Sequence, residues 1–195
     1  MKKIILASAS PRRSELLRQI GVDFEVVPSE VDETNDLNLN PEEYAIEISY
    51  RKASDISKKI DGKYLIIAAD TIVVKNGIMG KPKEENEAFE MLKQLQDTWH
   101  EVITGIVVID TESGRVIREL EKTRVKMKSL SDIEIKCYIK SGEPMDKAGS
   151  YGIQGLGALL VEKIEGCYFN VVGLPLNRLS FIMKEFGVNF ITDCR

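Results

Sequence analysis

The sequence predicts an α/β domain, on three observations. Short apolar runs with strand character, such as Ile4–Ala7, Leu65–Ala69 and Val102–Ile109, alternate with segments whose apolar residues recur at helical spacing. The run Leu65-Ile66-Ile67-Ala68-Ala69 is apolar throughout, as expected of a strand covered on both faces. No repeat, linker or low-complexity segment interrupts the 195 residues, so residues 1–195 are read as one domain with room for a substantial core, two lobes and a cleft.

The first strand, Ile4–Ala7, leads into Ser8-Ala9-Ser10-Pro11-Arg12-Arg13. Ser10 is a good N-cap, and Pro11 pre-sets the backbone at the first helical position. The helix runs through Glu15, Leu16, Leu17 and Ile20 to a stop at Gly21. Arg12 and Arg13 stand in its first turn, where the helix end carries about half a positive charge and a cation costs about 0.3–1 kcal/mol. Either an anion offsets them, or they are solvated and pair with Glu15 or other acids. Broken local rules are most informative at functional sites.

Phe24–Val27 reads as a second strand entering the acidic loop Ser29-Glu30-Val31-Asp32-Glu33. A polar connection reaches Asn40, which is spaced with Glu43 as a capping box around Pro41. The helix keeps an apolar face at Ala45, Ile48, Ala53, Ile56 and Ile60, with Lys52 close to the stripe. Lysines on helices are usually solvated, so Lys52 alone says little. The apolar strand is expected to end at Asp70-Thr71 and resume as Ile72–Val74, with a hairpin turn at Asn76-Gly77. An aspartate in so apolar a run is expensive to bury unpaired. Hydrogen bonding to a neighbouring turn and a catalytic role are both open. Gly80-Lys81-Pro82 closes the hairpin before a helix through Ala88, Met91, Leu92 and Leu95.

Val102–Ile109 is followed by a turn at Ser113-Gly114, the strand Val116-Ile117 and a separate strand at Thr123–Met127. Ser131 can cap a helix through Ile133, Ile135 and Tyr138, stopped by Gly142. Gly152-Ile153-Gln154-Gly155-Leu156-Gly157 is a glycine-rich turn before a strand at Ala158–Val161; it does not lead from strand into helix, so it is no dinucleotide fingerprint. Pro175 opens the last helix.

Composition narrows the function. The chain is 43% hydrophobic and 30% charged, with no apolar run near the roughly 20 residues that span a bilayer. The run behind Met1-Lys2-Lys3 is too short for a signal peptide, so a cytoplasmic protein with no membrane partner is expected. A net charge of −4 argues against a general nucleic-acid partner. Cys137, Cys167 and Cys194 lack disulfide or zinc spacing. His100, the single histidine, reads as structural.

The unusual polar residues sort into cations (Arg12, Arg13, Lys52, Lys81) and carboxylates (Glu30, Asp32, Glu33, Asp70). Hard oxygen donors without histidine suit magnesium or manganese bound together with substrate phosphates. A nucleoside triphosphate with its metal matches both sets. Opposite charges about 4 Å apart attract by about 4 kcal/mol at an effective dielectric near 20, before desolvation.

Ser8-x-Ser10-Pro11-Arg12-Arg13, Ala68-Ala69-Asp70-Thr71, Gly80-Lys81-Pro82, Asp146-Lys147-Ala148-Gly149 and Tyr151-Gly152-Ile153-Gln154-Gly155 occur in this order. Over essentially its full length the chain resembles the Maf family of nucleoside triphosphate pyrophosphatases. The resemblance implies a long mixed twisted sheet flanked by helices, with two lobes around a cleft, related to the inosine triphosphate pyrophosphatases. Dimers are common in that family, so a homodimer is an expected partner state. It also implies hydrolysis between the α- and β-phosphates, giving a monophosphate and pyrophosphate, as house-cleaning of non-standard nucleotides. The Arg12 and Gln154 pattern is similar to the subgroup acting on dTTP, UTP and modified pyrimidine nucleotides, as distinct from the subgroup acting on 7-methyl-GTP.

Carried over residue by residue, Asp70 matches the proton acceptor, and Arg12, Thr71 and Gln154 match the specificity positions. Ser8, Arg13, Glu33, Lys52 and Lys81 match polar positions around nucleotide and metal. A divalent cation (Mg2+, Mn2+ or Co2+) is the implied cofactor, held by Asp70 and Glu33, with Glu30 and Asp32 as neighbouring alternatives to Glu33. Adjacent residues on a helix diverge by about 100°, so Arg13 is assigned to phosphate and Arg12 to the base or its support. Two other readings compete: a nucleotidyltransferase, which needs a second substrate, and a nucleotide-sensing regulator of septum formation, which binds without turnover.

Overall fold

Among the described residues seven strands form one mixed sheet, in the order β2-β1-β3-β5-β6-β7 with β4 paired to β3. The computed structural model describes residues 2–34 and 37–193, so Met1, Asn35 and Asp36 of the polar connection, and Cys194 lie outside it. The elements are β1 (Lys3–Leu6), α1 (Pro11–Gln19), β2 (Glu25–Val26), α2 (Pro41–Lys59), β3 (Tyr64–Val74), β4 (Ile78–Met79), α3 (Glu85–Leu95), β5 (Trp99–Asp110), β6 (Val116–Met127), α4 (Asp132–Lys140), β7 (Val161–Glu165), α5 (Tyr168–Val172) and α6 (Leu176–Glu185). β1 runs parallel to β2 and β3, while β4 is antiparallel to β3 and β7 to β6. The α/β class and the long mixed sheet agree with expectation.

The chain groups into two units, each with its own core. The first comprises Met1–Asp70, Thr104–Glu121 and Gly173–Arg195. Side chains alternate across a strand, so Ile5 of β1 with Ala7 just beyond it, Ile66 and Ala68 of β3, and Val107 and Ile109 of β5 share one face, on which Ala53 and Ile56 of α2 pack. The seat of α2 is unusually close. A Cβ on Gly105 would lie 2.3 Å from the Ala45 carbonyl oxygen, and the Ser49 hydroxyl, fully buried, sits 2.9 Å from the Gly105 carbonyl. An isolated glycine inside a strand pattern signals just such backbone approach.

The second unit comprises Thr71–Ile103 and Lys122–Val172. Its core collects Met91, Leu92 and Leu95 of α3, Ile135, Tyr138 and Ile139 of α4, and Val125 and Met127 of β6. α4 is started by a capping box in which the Ser131 hydroxyl accepts from the Glu134 amide and the Glu134 carboxylate accepts from the Ser131 amide. The box read between Asn40 and Glu43 is also present at α2.

Several local expectations are corrected. β3 does not break at Asp70-Thr71 but continues from Tyr64 to Val74, because a ladder of backbone hydrogen bonds is indifferent to one polar side chain whose charge is met. β6 is a single strand of 12 residues rather than two. Its middle is polar and partly exposed, with Glu119 and Glu121 paired to Arg178 and Arg118 stacked on Tyr50, so it carries no apolar signature. The apolar residues 158–161 are largely a 3-10 turn, Gly155–Leu159, with Leu159 69% exposed, and β7 starts only at Val161. α5 has no counterpart in the sequence reading. Ser10 occupies the N-cap of α1 without a side-chain cap bond; its amide donates instead to the Ser8 hydroxyl at 3.2 Å.

Candidate active site

Residues 66, 68 and 70 of β3 alternate onto the face that α2 covers, so Asp70 projects where α2 presents the residue before Ala53. That residue is Lys52. Its ammonium lies 2.6 Å from Asp70 Oδ1 and 2.7 Å from Glu33 Oε1. Lys52 and Asp70 are both 8% exposed, whereas the Glu33 side chain is 48% exposed. A lysine on the apolar stripe is therefore no solvated surface charge: it is a cation seated between two carboxylates. Charge-assisted hydrogen bonds of this kind are about twice as strong as neutral ones, and they remove the cost of an unpaired aspartate in the strand.

Arg13 completes a second contact set in the same unit. Its Nε donates to the Gly173 carbonyl at 2.8 Å, and its Nη1 donates to the Ser8 hydroxyl at 3.0 Å. The guanidinium is buried, and burial pulls its pKa below the usual value; the charge of Asp70 acts in the opposite direction, Arg12 adds to the lowering, and Glu33 opposes it. The anions that offset a cation at the start of α1 therefore include this chain's own carboxylates. Arg12, half-buried, occupies the preceding position on α1.

The acidic loop is tied to α2 by Tyr44, whose hydroxyl donates to the Glu33 carbonyl. Burial pushes the Tyr44 phenol up to about 12, with further upward contributions from Asp70 and Glu33. Of the three loop acids, Glu33 is the one whose carboxylate meets Lys52. Asp32 accepts instead from the Thr34 amide at 2.9 Å, and bonds to Thr34 hold its carboxyl below the ordinary range.

The donor chemistry here suits a hard divalent cation. Two carboxylates already converge on one positive charge, the Lys52 ammonium, and ions such as Mg2+ take one or two carboxylates plus substrate oxygens. Among the described residues no group of three or more His, Cys, Asp or Glu side chains forms a ready metal cage, so Asp70 and Glu33 are the pair that could share in holding such an ion.

The remaining sequence-derived positions belong to the second unit. Thr71 follows Asp70 in β3 and is half-buried. Lys81 is exposed just after β4, where the Gly80 carbonyl accepts from the Gly149 amide at 3.0 Å. Gln154 is half-buried at the start of the turn Gly155–Leu159, and its side chain makes no capping bond there. Sequence reasoning missed Tyr44, Ser49 and the Gly173 carbonyl, since a hydroxyl or a backbone oxygen that meets a distant segment leaves no local trace. Gly105 did leave one, as a lone glycine in an apolar strand. His100 is 3% exposed and its Nε2 lies 2.6 Å from the Tyr151 hydroxyl, a core contact in keeping with a structural role.

Comparison with known proteins sets this arrangement among relatives. The chain is 57% identical over 197 residues to the dTTP/UTP pyrophosphatase of Acetivibrio thermocellus, covering 98% of each chain. It is 52% identical over 192 residues to the dTTP/UTP pyrophosphatase of Alkaliphilus oremlandii, covering 98% of this chain and 100% of that one. Among solved structures it is similar to a HAM1 protein from Coxiella burnetii, with a TM-score of 0.51, 13% identity, and coverage of 95% of this chain and 100% of that chain; this likeness concerns the fold alone. The profile of the Maf-like proteins matches residues 3–186, nearly the whole chain, and the protein belongs to that family.

Proposed function

We propose that this protein is a nucleoside triphosphate pyrophosphatase, a hydrolase that converts dTTP and UTP to the monophosphate and pyrophosphate, acting as one functional domain over residues 1–195. Relatives that carry the name dTTP/UTP pyrophosphatase at 57% and 52% identity support the substrate class. The observation that carries the chemistry is the buried Lys52–Asp70 pair with Glu33 on the same ammonium. Charge of both signs is concentrated there on a chain that is acidic overall.

Asp70 accepts a proton from the water that attacks the α-phosphorus, in line with the departing pyrophosphate. Lys52 and Arg13 neutralise charge that develops on the phosphates, and their burial makes each contact stronger than it would be in water. Ser8 orients the Arg13 guanidinium through its hydroxyl. Lys81 is a further phosphate contact, while Arg12, Thr71 and Gln154 select the base. Gln154, with both a donor and an acceptor, suits a pyrimidine edge. A divalent cation (Mg2+, Mn2+ or Co2+), held by Asp70 and Glu33, would supply further neutralisation and acidify the attacking water. A cytoplasmic location and a homodimeric state go with this reading, with no nucleic-acid or membrane partner; among the described residues no helix is long and apolar enough to cross a membrane.

The test is incubation with dTTP, UTP and the other triphosphates in the presence of each metal, with the phosphate product identified. The expected result is pyrophosphate and monophosphate from dTTP and UTP in preference to the rest. Orthophosphate as the product, or equal turnover of every nucleotide, overturns the assignment.

A further inference from the structure

The turn that carries Gln154 is held partly from outside its own sequence. Glu143, at the head of a short 3-10 element (Glu143–Asp146), reaches across to it. Its Oε2 accepts from the Leu156 amide at 2.9 Å, and its Oε1 accepts from the Gly157 amide at 2.9 Å. Oε1 also accepts from the Tyr138 hydroxyl at 2.9 Å, and that hydroxyl in turn accepts from the Gly152 amide at 3.3 Å. One carboxylate, directly and through one phenol, thus grips the backbone on both sides of Gln154. The fit is close. A Cβ on Gly155 would fall 2.5 Å from Glu143 Oε2, and one on Gly157 would fall 2.1 Å from the Gly152 carbonyl oxygen.

The support is rigid as well. Tyr138 is 5% exposed in the second unit's core, on the helix started by the Ser131–Glu134 box. The Glu143 carboxyl stays below the ordinary range: burial works against ionisation, but bonds from the Gly157 amide, the Tyr138 hydroxyl and the Leu156 amide outweigh it. The clasp is therefore closed at neutral pH.

We infer that Glu143, with Tyr138, is a positioning residue that fixes Gln154 and thereby sets the preference for a pyrimidine over a purine nucleotide. This rests on the pyrimidine-nucleotide reading above. A glutamine amide has rotational freedom of its own and meets bases of several sizes if its backbone can yield. When three flanking amides are tied, the Gln154 backbone is held at one place in its unit, and its amide offers one fixed donor–acceptor pattern, the kind that suits a pyrimidine edge. Glu143→Gln replaces one acceptor oxygen with a donor that faces an N–H or O–H, opening one side of the clasp.

The experiment measures dissociation constants for the α,β-imido analogues of dTTP and dGTP by calorimetry, with turnover of dTTP recorded separately. In Glu143→Gln the affinity ratio of the two analogues falls about tenfold, the scale of one lost charged hydrogen bond, while kcat for dTTP stays within about threefold. Tyr138→Phe shifts the ratio in the same direction by less, and it carries the test if Glu143→Gln does not fold. In a Gln154→Ala background Glu143→Gln leaves the ratio unchanged, which a general loosening of the fold would not do. An unchanged ratio in the single variants, or an equal drop with and without Gln154, overturns the inference. Selective binding without hydrolysis by the unaltered protein would instead bring down the pyrophosphatase reading and leave the clasp standing.

Discussion

The two units hold their polar groups by opposite means. In the first, charge is held by charge: the Lys52 ammonium sits between Asp70 and Glu33, and a buried Arg13 is pinned by the Ser8 hydroxyl and the Gly173 carbonyl. In the second, backbone is held by one charge: Glu143 collects the amides of a loop whose Gln154 side chain makes no capping bond. The difference teaches where each part can change. The ionic cluster is least tolerant at its shared cation, because removing Lys52 strands the buried Asp70 carboxylate in a medium that cannot solvate it. A clasped loop can exchange a residue it carries while keeping the clasp, so on the roles proposed above selectivity can vary without disturbing the charge cluster.

The largest effect is expected of Asp70→Asn. Turnover should fall by about 10²–10⁴-fold, the range for loss of a general base, while thermal unfolding changes little because Glu33 still faces Lys52. Activity within tenfold of the unaltered protein would remove Asp70 from the reaction. Lys52→Met should cost about 3–5 kcal/mol of stability by leaving the Asp70 carboxylate buried and uncompensated. The double variant Lys52→Met/Asp70→Asn should recover much of that loss in a denaturant titration; a purely additive double would mean that the pair is not coupled.

The second unit should show its own sensitivity to acid. Burial, with a smaller contribution from the Lys75 charge, lowers the His100 pKa to about 4. Between that value and the ordinary 6.5 the unfolded chain binds more protons than the folded one, so stability rises with pH across this window. The contribution is fully present above pH 6.5 and is lost as pH falls toward 4. At about 1.4 kcal/mol per unit the loss comes to about 3 kcal/mol. Thermal melts at pH 7 and pH 4.5 should therefore converge for His100→Gln more than for the unaltered chain. Gly105→Ala should cost about 1–3 kcal/mol by forcing α2 off β5. Its signature is lower activity together with the lower melting temperature, since Lys52 rides on α2.

How much of this was legible in the sequence depended on whether the signal was local. The Asn40–Glu43 capping box, the Ser131 cap, the Asn76-Gly77 turn and the apolar faces of α2 and α3 were readable because each is written within a few residues. The family resemblance picked out Ser8, Arg13, Glu33, Lys52 and Asp70, which the first unit does bring into two contact sets. What escaped was non-local or unpatterned. The polar middle of β6 has no apolar alternation to betray a strand, and the continuity of β3 through Asp70 depended on a lysine 18 residues away in the chain. The Glu143 clasp was invisible because a carboxylate that bonds amides 13 and 14 residues later has no spacing rule.

The seat of Lys52 bears on how the protein would stand without the divalent cation proposed for it. In a zinc finger the ion is part of the folding reaction, and a chelator unfolds the chain. Here an ammonium that cannot diffuse away already quiets the mutual repulsion of Asp70 and Glu33. If it takes the metal proposed above, the metal-free protein already has these two carboxylates partly neutralised and is expected to fold before loading. Chelator added during a thermal melt should accordingly abolish turnover and leave the melting temperature where it was.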